Sequence, residues 1–327
     1  MIVNILIVFA LLYCLSSVLL VRASNNNIKF KIATDTNSTV VLQISNTGIW
    51  PVACCKALVS VNNSITGISD NMEFFTWLKP KKTRTLIFNV KDNLCGCLRV
   101  NVKSIVISDI LGIVKREIES NREVNLYSMP FLYEINISKD SADRYDMESF
   151  RYSQYKKGSD SSETFGISQY REGDSVKAIH WKLSAKTGDI MVRDYSFPVD
   201  NRIMILIDKK EYEDYSLSPE GKSKSTEFAL SFSKSISEKG IEHSLGWYDS
   251  NRENFVVKSV KSPQDLELII SEFLEAPFYK DGKDVISEFI ESDSEKNYSG
   301  FILITDGDPK KERLMEYGEV DIYRPEK

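Results

Sequence analysis

The stretch YREGDSVKAIHWKLSAKTGDIMVRD, Tyr170 to Asp194, is the part of the chain from which its organisation is read. Asp174 is suited to cap a helix, because its carboxylate accepts bonds from the free backbone N–H groups of a first turn. Gly188 is suited to end that helix, since glycine enters the left-handed conformation at little steric cost. Between them Val176, Ile179 and Leu183 fall at i, i+3 and i+7 and predict one apolar stripe. His180, Lys182 and Lys186 point elsewhere, and a strand is predicted from Ile190 to Tyr195. Trp181 reads as a core or interdomain anchor. A ring buried in that way is worth roughly 3–5 kcal/mol on truncation to alanine.

Thirteen features of this stretch carry a resemblance: Tyr170, Arg171, Gly173, Asp174, Ile179, His180, Trp181, Lys182, Ser184, Ala185, Thr187, Gly188 and the pair Val192-Arg193. Together they resemble the signature of the family known as domain of unknown function number 58. The resemblance implies a membrane-anchored bacterial protein with a von Willebrand factor A-like C-terminal domain. It further implies a MoxR-type AAA+ ATPase as partner. Such proteins usually carry two adjacent N-terminal spans, and one is evident here.

Downstream of the signature, Ile203 to Ile207 is a continuous apolar run ending in Asp208, the pattern of a strand buried on both faces of a parallel sheet. Phe301 to Ile304 is a second such run, ending in Thr305-Asp306-Gly307. Helical faces lie between them: Phe228, Phe232 and Ile236; Leu266, Ile269, Ile270, Phe273 and Leu274; and Val285, Ile286, Phe289 and Ile290. Ser262-Pro263-Gln264-Asp265 has the form of a capping box with proline at the first helical position. Strands alternating with amphipathic helices predict a doubly wound α/β domain. The signature and this domain together occupy 169–327.

Upstream, Ser138 to Ser168 is polar and predicts a solvated linker or loop, 138–168. Residues 28–130 read as an all-β domain. Val40, Leu42 and Ile44 alternate with polar neighbours, as do Leu86, Phe88 and Val90, and Val100 to Ile107 is a further strand. An immunoglobulin-like sandwich is the expected architecture. Met1 to Val21 is apolar and uncharged, long enough to cross a bilayer as a helix within 1–22. No basic residue precedes it, whereas Arg22, Lys29 and Lys31 follow. These charges predict a retained single-pass anchor with the soluble part in the cytoplasm.

The 327 residues include 42% apolar and 27% charged side chains, an ordinary globular composition with room for two soluble domains. A net charge of −5 argues against a nucleic-acid partner. Five cysteines, among them Cys54-Cys55 and Cys95-x-Cys97, lack zinc-type spacing and read as reduced thiols.

Three constellations could carry chemistry. Ligands of an open α/β sheet bind at the carboxyl ends of its strands, where Asp208 and Asp306 fall. The resemblance puts a divalent cation there, held by an Asp-x-Ser-x-Ser loop with Thr305 as a further ligand. In Asp208-Lys209-Lys210-Glu211-Tyr212, however, Lys210 and Tyr212 stand where the two serines are expected, and the lysines add positive charge. The cation site is therefore expected to be lost, and no cofactor is expected. His180 and Ser184, at i and i+4 of the predicted helix, are within reach of each other as a hydrolase pair, yet no nucleophile elbow or third group accompanies them. Arg171, Lys177, Lys182, Lys186 and Arg193 form a basic docking face.

The expected fold class is α+β multidomain: a membrane helix, an immunoglobulin-like β-sandwich, and a von Willebrand factor A-like α/β domain with a mostly parallel sheet. The expected function is a membrane-anchored, non-catalytic interaction protein working with the MoxR-type ATPase. The alternatives are a degenerate metal-dependent adhesion module at Asp208, Thr305 and Asp306, or a hydrolase at His180 and Ser184.

Overall fold

Alternation and continuous burial account for the two kinds of sheet in the computed structural model. It describes all residues except 1, 26, 37, 137–151, 159, 199, 213–215, 293–297 and 326–327. The chain divides into two compact units, Met1–Pro130 and Phe131–Lys327.

The first unit begins with helix α1, Ile2–Asn25, and continues through β1 (Ile28–Thr36), β2 (Thr39–Asn46), β3 (Val52–Asn63), β4 (Ser69–Leu78), β5 (Lys82–Asn89), β6 (Gly96–Ser108) and β7 (Lys115–Ser128). These strands form two antiparallel sheets, β1-β2-β5 and β4-β3-β6-β7. Val40, Leu42 and Ile44 from one sheet share a core with Ala57, Val59, Val100 and Ile105 from the other. Along β6 the inward residues are Leu98, Val100 and Val102, then Ile105 and Ile107, so the parity changes once. A register shift between Val102 and Ser104 absorbs the extra residue, which is how a bulge keeps both halves facing the core. All five cysteines carry thiols. Burial pushes the Cys55 thiol up to about 12.

The second unit holds a five-stranded sheet ordered β13-β12-β11-β14-β15. Its strands are β11 (Asp200–Ile207), β12 (His243–Asp249), β13 (Asn254–Val260), β14 (Tyr298–Ile304) and β15 (Glu319–Tyr323). β11 runs parallel to β12 and β14, and β14 parallel to β15; only β13 is antiparallel to its neighbour. Ile203–Ile207 and Phe301–Ile304 are buried throughout, as continuous apolar strands covered on both faces must be.

The helices of this unit are α2 (Trp181–Thr187), α3 (Pro219–Glu238), α4 (Pro263–Glu275), α5 (Val285–Glu291) and a single turn, α6 (Glu312–Met315). Met204 and Leu206 pack on Val285, Ile286 and Phe289 of α5, while Trp247 of β12 meets Phe273 of α4 edge-on. Asp265 accepts bonds from the backbone N–H groups of Ser262 and Lys261 at the start of α4, as the capping-box sequence predicts.

A three-stranded sheet, β8-β10-β9, completes the described residues of this unit. It contains β8 (Tyr152–Gly158), β9 (Asp160–Gln169) and β10 (Met191–Pro198). The linker expected over 138–168 is thereby corrected: its second half forms two strands, each paired antiparallel with β10. Residues 137–151 lie outside the described residues. An extended segment follows Pro130, and its amides bind side chains of α3. Phe131 N–H reaches Glu227, Tyr133 N–H reaches Ser231, and Ile135 N–H reaches Ser235. Two extended residues rise about 6.6 Å and four helical residues about 6 Å, so every second amide meets every fourth helix residue.

Candidate functional site

The signature is an excursion between β9 and β10. Tyr170 N–H donates to Ile190 O at 2.8 Å and His180 N–H to Met191 O at 2.8 Å, which closes the excursion at its base. Asp174 does not cap a helix: its Oδ2 accepts from Arg171 N–H at 2.7 Å and holds a turn. A 3-10 turn at Val176–Ala178 follows, and Ile179 then bridges to Val192 in extended conformation. The continuous helix expected from Asp174 to Gly188 is therefore broken at Ile179, and its apolar stripe does not form. The helix that does form, α2, is capped by His180, whose Nδ1 accepts from Leu183 N–H at 3.2 Å. Gly188 ends it in the left-handed conformation at φ 83°, as expected.

Trp181 is a correction of greater consequence. It is 67% exposed and so anchors no core. It occupies the first position of α2. Tyr170, Val176 and Ile190 are likewise exposed, and Arg171, Lys177, Lys182, Lys186 and Arg193 stand exposed in the same excursion and on β10.

Ser184 and His180 are neighbours without forming a catalytic pair. Ser184 Oγ donates to the backbone O of His180 at 3.1 Å and accepts from Met191 N–H at 2.9 Å. The hydroxyl is thus engaged with main chain at both ends of the excursion. His180 Nδ1 is itself occupied as an acceptor. A nucleophile requires its base on the hydroxyl proton, which here points to a carbonyl.

The second candidate lies where β11 and β14 end side by side. Asp208 N–H donates to Ile304 O at 2.9 Å, which brings Asp208 beside Thr305. Asp208 Oδ2 accepts from Thr305 Oγ1 at 2.9 Å and from Tyr212 Oη at 2.7 Å, and Oδ1 accepts from Lys210 N–H at 3.1 Å. Burial lifts the Asp208 carboxyl to about 6 against the pull of these three donors. Burial likewise raises the Tyr212 and Tyr279 phenols, with Asp208 the next cause. Gly307 is required beneath Tyr212, because a Cβ there would lie 2.2 Å from the ring. Asp306 follows Thr305 in this turn.

The lysines behave differently from expectation. Lys209 is fully buried, and its ammonium leaves the carboxylate to bind Phe273 O and Ala276 O, each at 2.7 Å, at the end of α4. Lys210 Nζ donates to Gly282 O at 2.6 Å. The group seated on the carboxylate is Tyr212, which stands where the loop's second serine is expected and whose hydroxyl takes the place of a cation ligand's contact with Asp208. A cation there would have to displace two hydroxyls and take up a carboxyl that ionises reluctantly. Calorimetric titration of the full chain with millimolar magnesium is accordingly expected to give no saturable heat. Saturable binding lost in Asp208→Ala would contradict this.

A buried pair also escaped the sequence reading. His243, the first residue of β12, binds Ser233 Oγ through Nε2 at 2.7 Å and Ile241 O through Nδ1 at 3.1 Å. A carbonyl only accepts, so Nδ1 carries the proton and Nε2 accepts from Ser233. Burial holds His243 down at about 4. The pair lies at the end of β12 where the strand begins, with no exposed face, and acts as a core polar contact.

Residues 167–296 match the family described as protein of unknown function DUF58. That segment is similar to the DUF58 family over about two fifths of the chain. It takes in the signature excursion and the sheet as far as α5. No curated protein matches the chain. Among solved structures, the CARDB domain of the PF1109 protein from Pyrococcus furiosus, in complex with di-metal ions, is 20% identical with a TM-score of 0.19. The match covers 31% of this chain and 80% of that one. A β-glucosidase from Kluyveromyces marxianus is 13% identical with a TM-score of 0.19, over 31% of this chain and 15% of that one.

Proposed function

We propose that this DUF58 chain is a membrane-anchored, non-catalytic interaction protein whose signature excursion is the binding face. The observation that carries this is Trp181: an aromatic ring held at 67% exposure, on an excursion closed by main-chain bonds and set among five basic side chains. Exposed aromatic and arginine side chains supply most of the energy at protein interfaces. The partner suggested by the family resemblance is a MoxR-type AAA+ ATPase, met through an acidic surface. We further read the first unit as an immunoglobulin-like spacer. Its two antiparallel sheets with one shared core support that reading. We read the five-stranded sheet as von Willebrand factor A-like with its cation loop replaced by Tyr212. Helix α1 is long and apolar enough to cross a membrane, and the basic residues after it favour a cytoplasmic soluble part.

Trp181→Ala in the full chain tests the binding face. An exposed ring contributes little to folding, so melting should change by less than about 1 kcal/mol, far below the value for a core ring. Co-purification with the ATPase should fall at least tenfold. A large loss of stability, or unaltered co-purification by the folded variant, would contradict the proposal.

A further inference from the structure

The first unit carries an apolar and basic end that the interaction face leaves unexplained. Four segments meet at this end, because β2, β4 and β6 all finish there. They are the approach from α1 to β1, the 47–51 loop between β2 and β3, the 79–81 turn between β4 and β5, and the 109–114 loop between β6 and β7. Val52 pairs with Leu78, Asn46 with Lys82 and Cys54 with Ser108, which fixes the common level. Lys81 N–H donates to Gly48 O, joining two of the loops directly.

The tip of the 109–114 loop is apolar and open: Ile110, Leu111 and Ile113 are 80%, 65% and 60% exposed. Ile49, Trp50 and Trp77 are exposed at the same end. Interleaved with them are Lys79, Lys81 and Lys82, all exposed, with Lys79 Nζ lying over the Trp77 ring at 5.3 Å. Apolar tips, two tryptophans and a cluster of ammonium groups are the composition of a surface that meets lipid headgroups.

Helix α1 gives this surface its direction. Tyr13, Ser17, Val21 and Ser24 form one face against the end of the sheets, and Tyr13 Oη donates to Asp109 Oδ2 at 2.7 Å. The turns before Tyr13, exposed on every side, extend roughly 17 Å. A hydrocarbon layer is about 30 Å thick, so these turns enter it only when the helix brings the end of the sheets up to the membrane surface. The loop held beside Tyr13 then reaches the membrane with it.

We infer that this end of the first unit is a lipid-contacting surface. In it, Ile110, Leu111, Ile113, Trp50 and Trp77 enter the interface, and Lys79, Lys81 and Lys82 bind the phosphates of anionic lipids. It rests on α1 being a membrane helix, and the test separates the two. The full chain is reconstituted into phosphatidylcholine vesicles, with and without phosphatidylglycerol, made with brominated acyl chains that quench nearby tryptophan. Brominated lipid should quench the native chain, and Trp50→Phe with Trp77→Phe should abolish most of that quenching while the chain still floats with the vesicles. Phosphatidylglycerol should deepen the quenching, and Lys79→Ala, Lys81→Ala and Lys82→Ala together should remove that increment. Flotation with equal quenching in native and double-phenylalanine chains would overturn the surface and leave the anchor standing. Quenching indifferent to phosphatidylglycerol would overturn the headgroup contact. Failure to float would overturn both.

Discussion

Replacing Lys209 by methionine should destabilise the second unit by roughly 3 kcal/mol, because two buried carbonyls lose their donor at about 1–3 kcal/mol each. The last carbonyls of a helix have no partner within the helix, and the negative end of the helix dipole favours a cation there. Lys209 meets both demands at the end of α4. Its Nζ binds Phe273 O and Ala276 O and lies 3.6 Å from the centre of the Phe273 ring. Methionine keeps the volume of the stem and removes the donor. The measurement is the urea midpoint of the full chain, followed through Trp247, which is buried against Phe273. A shift worth less than about 1 kcal/mol would show that the ammonium does not hold α4.

The pH dependence of stability should change in opposite directions in two variants. His243 is held at about 4 in the folded chain against an ordinary 6.5. Its contribution is complete above pH 6.5 and is lost as the pH falls from there to 4, because the unfolded chain takes up the proton first. Asp208 is raised from 3.8 to about 6. Its contribution is complete below pH 3.8 and is lost as the pH rises to 6, because the unfolded chain releases the proton first. Each contribution is about 3 kcal/mol at 1.36 kcal/mol per pKa unit. Between pH 4 and 6 they nearly cancel in the native chain. Relative to native, Asp208→Asn should therefore gain stability as the pH rises through this range, and His243→Gln should lose it. Parallel curves for all three chains would contradict both assignments. The difference between chains cancels the other titrating groups.

Local pattern made the sheets legible. Val40, Leu42 and Ile44 alternate, and Ile203–Ile207 and Phe301–Ile304 do not, and those two patterns separate a half-covered sheet from one covered on both faces. What escaped was decided by distant partners. The polar strands β8 and β9 have no apolar period of their own and are ordered by pairing with β10. The segment after Pro130 is fixed by three side chains nearly a hundred residues later. Lys209 was misread because a long side chain can leave the loop that carries it. Trp181 was misread because a large ring favours burial in general, whereas here it opens the short helix α2 of an excursion and stands exposed.

The central claim is that the signature presents a basic, aromatic face to an acidic partner. Its most direct test is the affinity of the full chain for the MoxR-type ATPase at two salt concentrations, with Lys182→Ala and Lys186→Ala measured alongside. The account predicts weaker binding by the double variant at low salt and a smaller loss on raising the salt, with melting unchanged. Equal affinity of the native and variant chains at both salt concentrations would contradict it.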